Sequence, residues 1–185
     1  VNIGQIHFKL GNMDSNIFYN SQAAKLSNIP GLEETHSAAL NNLGYTNKIM
    51  GNFEKALEYY NSAYEISKKM DMPASKSTDL NNIAGVYMHW KKYDLAKNYL
   101  RQAIAIDEQL KDLARMEVKL SNLAYTYQQT GDLDSAMMLF KRSAEIAEEL
   151  GRMGSLAVKK INIGLLYFEK GNYTLAEKYV TEGME

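Results

Sequence analysis

Apolar residues return along this chain at i, i+3, i+4 and i+7. Leu40, Leu43, Gly44 and Asn47 draw one such stripe, and Leu80, Ile83, Ala84 and Tyr87 draw it again. A second kind of stripe runs through Phe53, Ala56, Leu57, Tyr60 and Ala63, and through Leu133, Ala136, Met137, Phe140 and Ser143. This period belongs to helices that bury one face and leave the other wet. Between the two kinds of stripe stand Gly11-Asn12, Gly51-Asn52, Gly131-Asp132 and Gly171-Asn172. Gly suits the left-handed residue that closes one helix, and Asn or Asp beside it can cap the next by accepting from its free N–H groups. The pattern predicts a helix A, a tight turn and a helix B.

The unit repeats every 40 residues. Leu40-Asn41-Asn42-Leu43-Gly44 returns as Leu80-Asn81-Asn82-Ile83-Ala84, Leu120-Ser121-Asn122-Leu123-Ala124 and Lys160-Ile161-Asn162-Ile163-Gly164, and Asn2-Ile3-Gly4 is the same word clipped. Repeats are expected at 1–32, 33–72, 73–112, 113–152 and 153–185, giving ten helices in antiparallel pairs and no strand. Small residues at Gly44, Ala84, Ala124 and Gly164, and at Ala56, Ala96, Ala136 and Ala176, let paired helices approach closely. The third repeat departs, with Trp90-Lys91-Lys92-Tyr93 at its turn, and is expected to be less well capped. The chain starts inside one helix A and stops inside the fifth helix B. It is therefore expected to be a piece of a longer protein, and its end faces to favour self-association.

Composition narrows the chemistry. With 21 Lys+Arg against 22 Asp+Glu, the chain has no electrostatic footprint for nucleic acid. No apolar run reaches the roughly 20 residues of a membrane span. Zero cysteines exclude disulfides, thiolate metal sites and a Cys nucleophile, and leave a cytoplasmic location as the default expectation. Two prolines, Pro30 and Pro73, leave the helices uninterrupted.

These residues lead to a resemblance. Leu43-Gly44, then Ala56, Tyr60 and Ala63, with Tyr87, Tyr127 and Tyr167 three residues after the small residue, resemble the tetratricopeptide repeat over the whole chain. The chain departs from it in repeat length, 40 residues against about 34, and in lacking the proline that usually ends helix B. Long repeats with this Asn word are similar to those of kinesin light chain and of the bacterial peptide-pheromone regulators. The resemblance implies a right-handed α-solenoid whose concave groove is lined by helix A. It places Asn42, Tyr45 and Ile49, Asn82 and His89 (with Gly85), Asn122, Tyr125 and Gln129, and Asn162 (with Leu165 and Glu169) in that groove.

An Asn amide donates and accepts, so a ladder of Asn could hold peptide units of an extended ligand. Adjacent helices about 8–10 Å apart match about three residues of such a strand. The same side chains could instead bond neighbouring helices and hold the repeats together, and both readings stand on the sequence. Some heat-shock-protein-binding repeats add basic residues four positions before the Asn to clamp a C-terminal carboxylate. Here those positions hold Ala38, Thr78, Val118 and Val158, which points to an internal or backbone-read peptide.

Nothing converges as an active site. His7, His36 and His89 fall in different repeats without metal-ligand spacing, and Glu33-Glu34 and Glu148-Glu149 are adjacent residues that diverge on a helix. No phosphate loop occurs, and Gly151-Arg152-Met153-Gly154 reads as a connector. No catalytic residue, metal or cofactor is expected. The reading is a scaffold or adaptor binding a protein or extended peptide; the alternative is a peptide-sensing regulatory domain of a bacterial signalling or transcription-regulating protein.

Overall fold

A computed structural model describes Gly4, Ile6, Phe8 and residues 10–184. Among them nine α-helices follow one another without a strand: α1 (Met13–Ser27), α2 (Glu33–Ile49), α3 (Phe53–Lys69), α4 (Pro73–His89), α5 (Tyr93–Leu110), α6 (Leu113–Gln129), α7 (Leu133–Glu149), α8 (Met153–Glu169) and α9 (Tyr173–Met184). Gly4, Ile6 and Phe8 have helical backbone where the first of the ten expected helices lies; Asn2 and His7 fall outside the described residues. None of these helices is long and apolar enough to cross a membrane.

Apart from the longer connection 28–32, where the Leu32 N–H donates to the Ile29 carbonyl, the turns share one backbone. A residue with positive φ stands at 11, 31, 51, 71, 91, 111, 131, 151 and 171, so the turn recurs every 20 residues and the B-to-A connection copies the A-to-B turn. After α2, the N–H groups of Met50, Gly51 and Asn52 donate to the carbonyls of Thr46, Lys48 and Asn47. Those of Trp90, Lys91 and Lys92 donate to Val86, Met88 and Tyr87 in the same way. The last carbonyls of these helices are thereby satisfied.

The third-repeat turn thus departs in composition but not in backbone, Lys91 taking φ 59° without a glycine. It does lack a side-chain cap. Asn12, Asp112, Asp132 and Asn172 each accept from the N–H three residues on, at 3.0–3.2 Å, whereas a lysine at 92 has no acceptor. Stacking holds this turn instead: Trp90 lies 5.7 Å from Phe53, with the Lys92 ammonium 3.4 Å from its ring centroid. Asn52 corrects the capping expectation, since its Nδ2 turns to Asn47 Oδ1 at 3.4 Å and its side chain caps nothing.

The chain divides into unit 1, Val1–Lys92, and unit 2, Tyr93–Glu185. In unit 1, Leu40 and Leu43 of α2 pack with Ala24 of α1 and Ala63 of α3. A Cβ on Gly44 would stand 2.8 Å from the Tyr60 ring, so the small residue sets how closely α2 and α3 approach. In unit 2 the core joins Ala124, Ala136, Phe140, Ile163 and Leu166, with Tyr127 and Tyr167 packed against it. Gly164 backs onto α9, where a Cβ would meet Val180 at 2.7 Å and the Ala176 carbonyl at 3.0 Å. The apolar stripes read from the sequence are these buried faces.

Candidate functional site

The A helices of unit 1 are α2 and α4. Asn42 and Asn82 are half-buried at equivalent places, while Tyr45 is 42 % and Ile49 46 % exposed one and two turns further along α2. Gly85 and the exposed His89 occupy those steps on α4. Period 3.6 puts Asn42, Tyr45 and Ile49 on one side of α2, next to the core stripe through Leu43.

The two asparagines are bonded within the protein. Asn42 Nδ2 donates to Asn20 Oδ1 at 3.2 Å, and Thr46 Oγ1 donates to Asn16 Oδ1 at 2.5 Å. Asn16 and Asn20 stand on α1 where α3 has Ala56 and Tyr60, so the first helix pair closes through amides rather than an Ala and a ring. Asn82 Nδ2 donates to Asn41 Oδ1 at 2.8 Å, tying α4 back to α2. In unit 1 each ladder amide thus donates to a neighbouring helix and keeps hydrogen-bonding capacity beyond the bond described.

In unit 2, α6 and α8 carry the ladder. Asn122 and Asn162 are half-buried, and the Asn122 carbonyl accepts from Thr126 Oγ1 at 2.7 Å. The side chains around them are more apolar than in unit 1: Val118, Tyr125, Val158 and Leu165 are 46, 44, 53 and 48 % exposed. Gln129 and Glu169 are exposed at the far ends. Gln128 Nε2 donates to Glu169 Oε1 at 2.6 Å across the two helices. The predicted residues of each unit thus fall on one side of its A helices, and in unit 2 the exposed Val118 and Val158 flank them with aliphatic surface.

Two titratable groups complete the unit 1 face. Lys48 is half-buried, its Nζ 5.0 Å from the centroid of the Tyr45 ring, and burial lowers its pKa. Burial, and then the Lys48 charge, hold the His89 imidazole below its ordinary value. Lys48 escaped the sequence reading because its column runs Phe8, Lys48, Met88, Gln128 and Phe168, with no repeated residue type to mark it. Of the other histidines, His36 has its Nδ1 2.9 Å from the Ala24 carbonyl, a packing role. Among the described residues no three His, Cys, Asp or Glu side chains stand together as a metal site.

A tetratricopeptide repeat family model matches residues 35–109, 73–149 and 112–185. No curated protein matches. Among solved structures, BtubC (BKLC) from P. vanneervenii is similar at 21 % identity and TM-score 0.87, over 98 % of this chain and 76 % of that one. The nearly identical repeats of a kinesin light chain candidate from Podosopora anserina give 16 % and 0.79, over 98 % and 90 %. A Rap protein solved with Competence and Sporulation Factor gives 20 % and 0.82, over 98 % of this chain and 51 % of that one. At such identities the likeness is one of fold, an all-α solenoid of helix pairs.

Proposed function

The chain belongs to the tetratricopeptide repeat family, and from that premise we propose that it is a protein- or peptide-binding module whose ligand lies along the A helices. The observation that carries this reading is the pairing, on α2, α6 and α8, of a half-buried Asn with large apolar side chains left in solvent one turn on: Tyr45, Tyr125 and Leu165. Exposed aromatic and aliphatic side chains beside hydrogen-bonding amides are what an extended peptide needs: pockets for alternate side chains and partners for its backbone. The module is non-catalytic in this reading, because its titratable groups are spent on neighbouring helices and do not converge on a reacting position.

A second reading is favoured by one comparison. Rap proteins, whose fold this chain shares over about half their length, have been solved with Competence and Sporulation Factor and with the Phr* peptide. A peptide-sensing domain of a bacterial regulator would use the same face and would transmit a change of helix packing to an attached segment. Another similar structure is described as an aspartyl phosphate phosphatase from Bacillus subtilis, of which this chain spans 48 %.

The test is a random-peptide selection followed by titration of the selected sequences. Tyr125→Ala and Tyr45→Ala should each weaken binding roughly tenfold, by about 1.4 kcal/mol. Met138→Ala, an exposed B-helix change, should leave it alone. Selected peptides indifferent to both tyrosines would end the A-helix reading.

A further inference from the structure

The C-terminal thirds of α2 and α4 bring together side chains that the asparagine ladder does not use. Lys48 leaves α2 three residues after Tyr45 and lies along its ring, whose other neighbour is Phe8 at 5.1 Å. Across from it on α4 is Gly85, where a Cβ would stand 3.6 Å from Lys48 Nζ. The same column holds Tyr45, Tyr125 and Leu165 in the other described A helices, so Gly85 alone leaves a gap, and the ammonium reaches into it. His89, one turn further along α4, is close enough for its imidazole to be affected by the Lys48 charge.

A cation drawn partly out of water gains from a carboxylate placed beside it. None of the ion pairs of the described residues includes Lys48. Burial alone accounts for its lowered pKa, with no acidic group offsetting it. The Tyr45 ring face gives a weaker attraction than a charge-assisted hydrogen bond would. The arrangement is half of an ion pair: an ammonium, a neighbouring imidazole able to donate, an aromatic wall and a glycine-sized opening.

We propose that Lys48, with His89 beside it and the Gly85 gap in front of it, binds a carboxylate of the ligand that lies on the unit 1 A helices. This rests on the binding reading above and assigns it a chemistry. The position is six residues after Asn42, on the other side of that residue from Ala38. A carboxylate at the gap would accept from Nζ, with the His89 imidazole one turn further along α4.

Acetate titrated into isotope-labelled protein, with chloride holding the ionic strength constant, tests this through the ring signals of Tyr45 and His89. Saturable shifts are expected, with the His89 pKa rising as the bound anion offsets the Lys48 charge. Lys48→Met should weaken binding at least tenfold and Lys48→Arg should retain it. Gly85→Tyr, which fills the gap as the equivalent tyrosines do, should abolish it with the lysine at 48 retained. Shifts that are linear in acetate, or that persist in Lys48→Met, overturn the site.

N-acetylglycine, which mimics a chain terminus, and the α-amide of N-acetylglutamate, which offers only a side-chain carboxylate, separate the two sources. The tighter of the two identifies the group recognised, and binding of neither overturns the proposal. The titration reads Lys48 without any selected peptide. Its failure beside intact tyrosine-dependent peptide binding removes the carboxylate assignment alone, and the reverse result removes the A-helix reading alone.

Discussion

In unit 1 the residue before the first Leu of the A-helix word is Ala39 on α2 and Asp79 on α4, while unit 2 has Lys119 and Lys159 in the same column, and all of them are buried. Asp79 meets neutral partners: Asn41 Nδ2 donates to Oδ1 at 2.9 Å and Ser67 Oγ to Oδ2 at 2.7 Å. Burial raises its pKa, and the two bonds oppose that only in part. Lys119 instead lies 2.7 Å from Asp107. Lys159 lies 2.5 Å from Glu117, a carboxylate that also accepts from Ser155 at 2.7 Å and Arg152 at 3.1 Å. Burial pushes Glu117 upward, but the bonds from Lys159 and Ser155 and the Lys159 charge outweigh it, so its pKa is lowered. One backbone position is thus filled by opposite charges, with the partner chosen to match. Repetition fixes the helix geometry, and the buried charge makes each interface chemically different from the next.

The largest effect expected from breaking this contrast is in unit 2. Lys119→Met strands the Asp107 carboxylate, fully buried, without its cation, and removing one partner of a buried pair costs about 3–5 kcal/mol. Hydrogen exchange should show that loss over α5 and α6. The double variant Asp107→Ser with Lys119→Asp copies the Ser67 and Asp79 pair of unit 1 and should recover most of it. If the single variant costs under about 1 kcal/mol, the pair is not what secures this interface.

The asparagine ladder gives a smaller effect. Asn82→Ala removes the donor to Asn41, which in turn holds Asp79, so unit 1 should lose about 1–3 kcal/mol. Asn162→Ala should cost unit 2 under about 0.5 kcal/mol, because Ser121, at the position of Asn41, shares its hydrogen bond with Ser143 at 2.9 Å. Melts that fall equally for both variants would show that the ladder is structural throughout.

The apolar stripes, the Gly-Asn turns and the small contacts at Gly44 and Gly164 were all legible, because each is a local preference repeated at a fixed spacing. The B-to-A turn was not. Asp71 and Lys111 sit at left-handed positions that no composition rule marks, so a 20-residue backbone period looked like a 40-residue one. Glu117, Lys119 and Lys159 were also invisible, because a charged residue on a helix reads as solvated until a partner from another helix is known. The face carrying Asn42, Tyr45, Asn122 and Tyr125 came from the family resemblance. Lys48 was missed because its importance lies in the opposing Gly85, a relation between two helices that a single helix pattern does not contain.

The smallest expected effect is also the one that separates the units by sign. Asp79 has a raised folded pKa, so the folded chain holds that proton to higher pH than the unfolded chain does. Its contribution favours folding below the unfolded value and is lost as pH rises through the folded value. Glu117 has a lowered folded pKa, so its contribution is present above the unfolded value and is lost as pH falls through the folded one. Each unit of displacement is worth about 1.4 kcal/mol. Acidification through the carboxylate range should therefore relieve unit 1 at Asp79 while weakening unit 2 at Glu117. Hydrogen exchange, corrected for its intrinsic pH dependence and read over α2 to α4 and over α6 to α8, measures the two separately. Asp79→Asn sharpens the test, since an amide keeps an acceptor for Asn41 or Ser67 and carries no charge to desolvate. At neutral pH it should change unit 1 stability by no more than about 1 kcal/mol, in the stabilising direction, and should flatten the pH response of unit 1. A variant that loses stability at neutral pH and keeps the wild-type pH response would mean that the Asp79 charge is favourable where it stands, and the contrast between the units would reduce to two versions of the same solution.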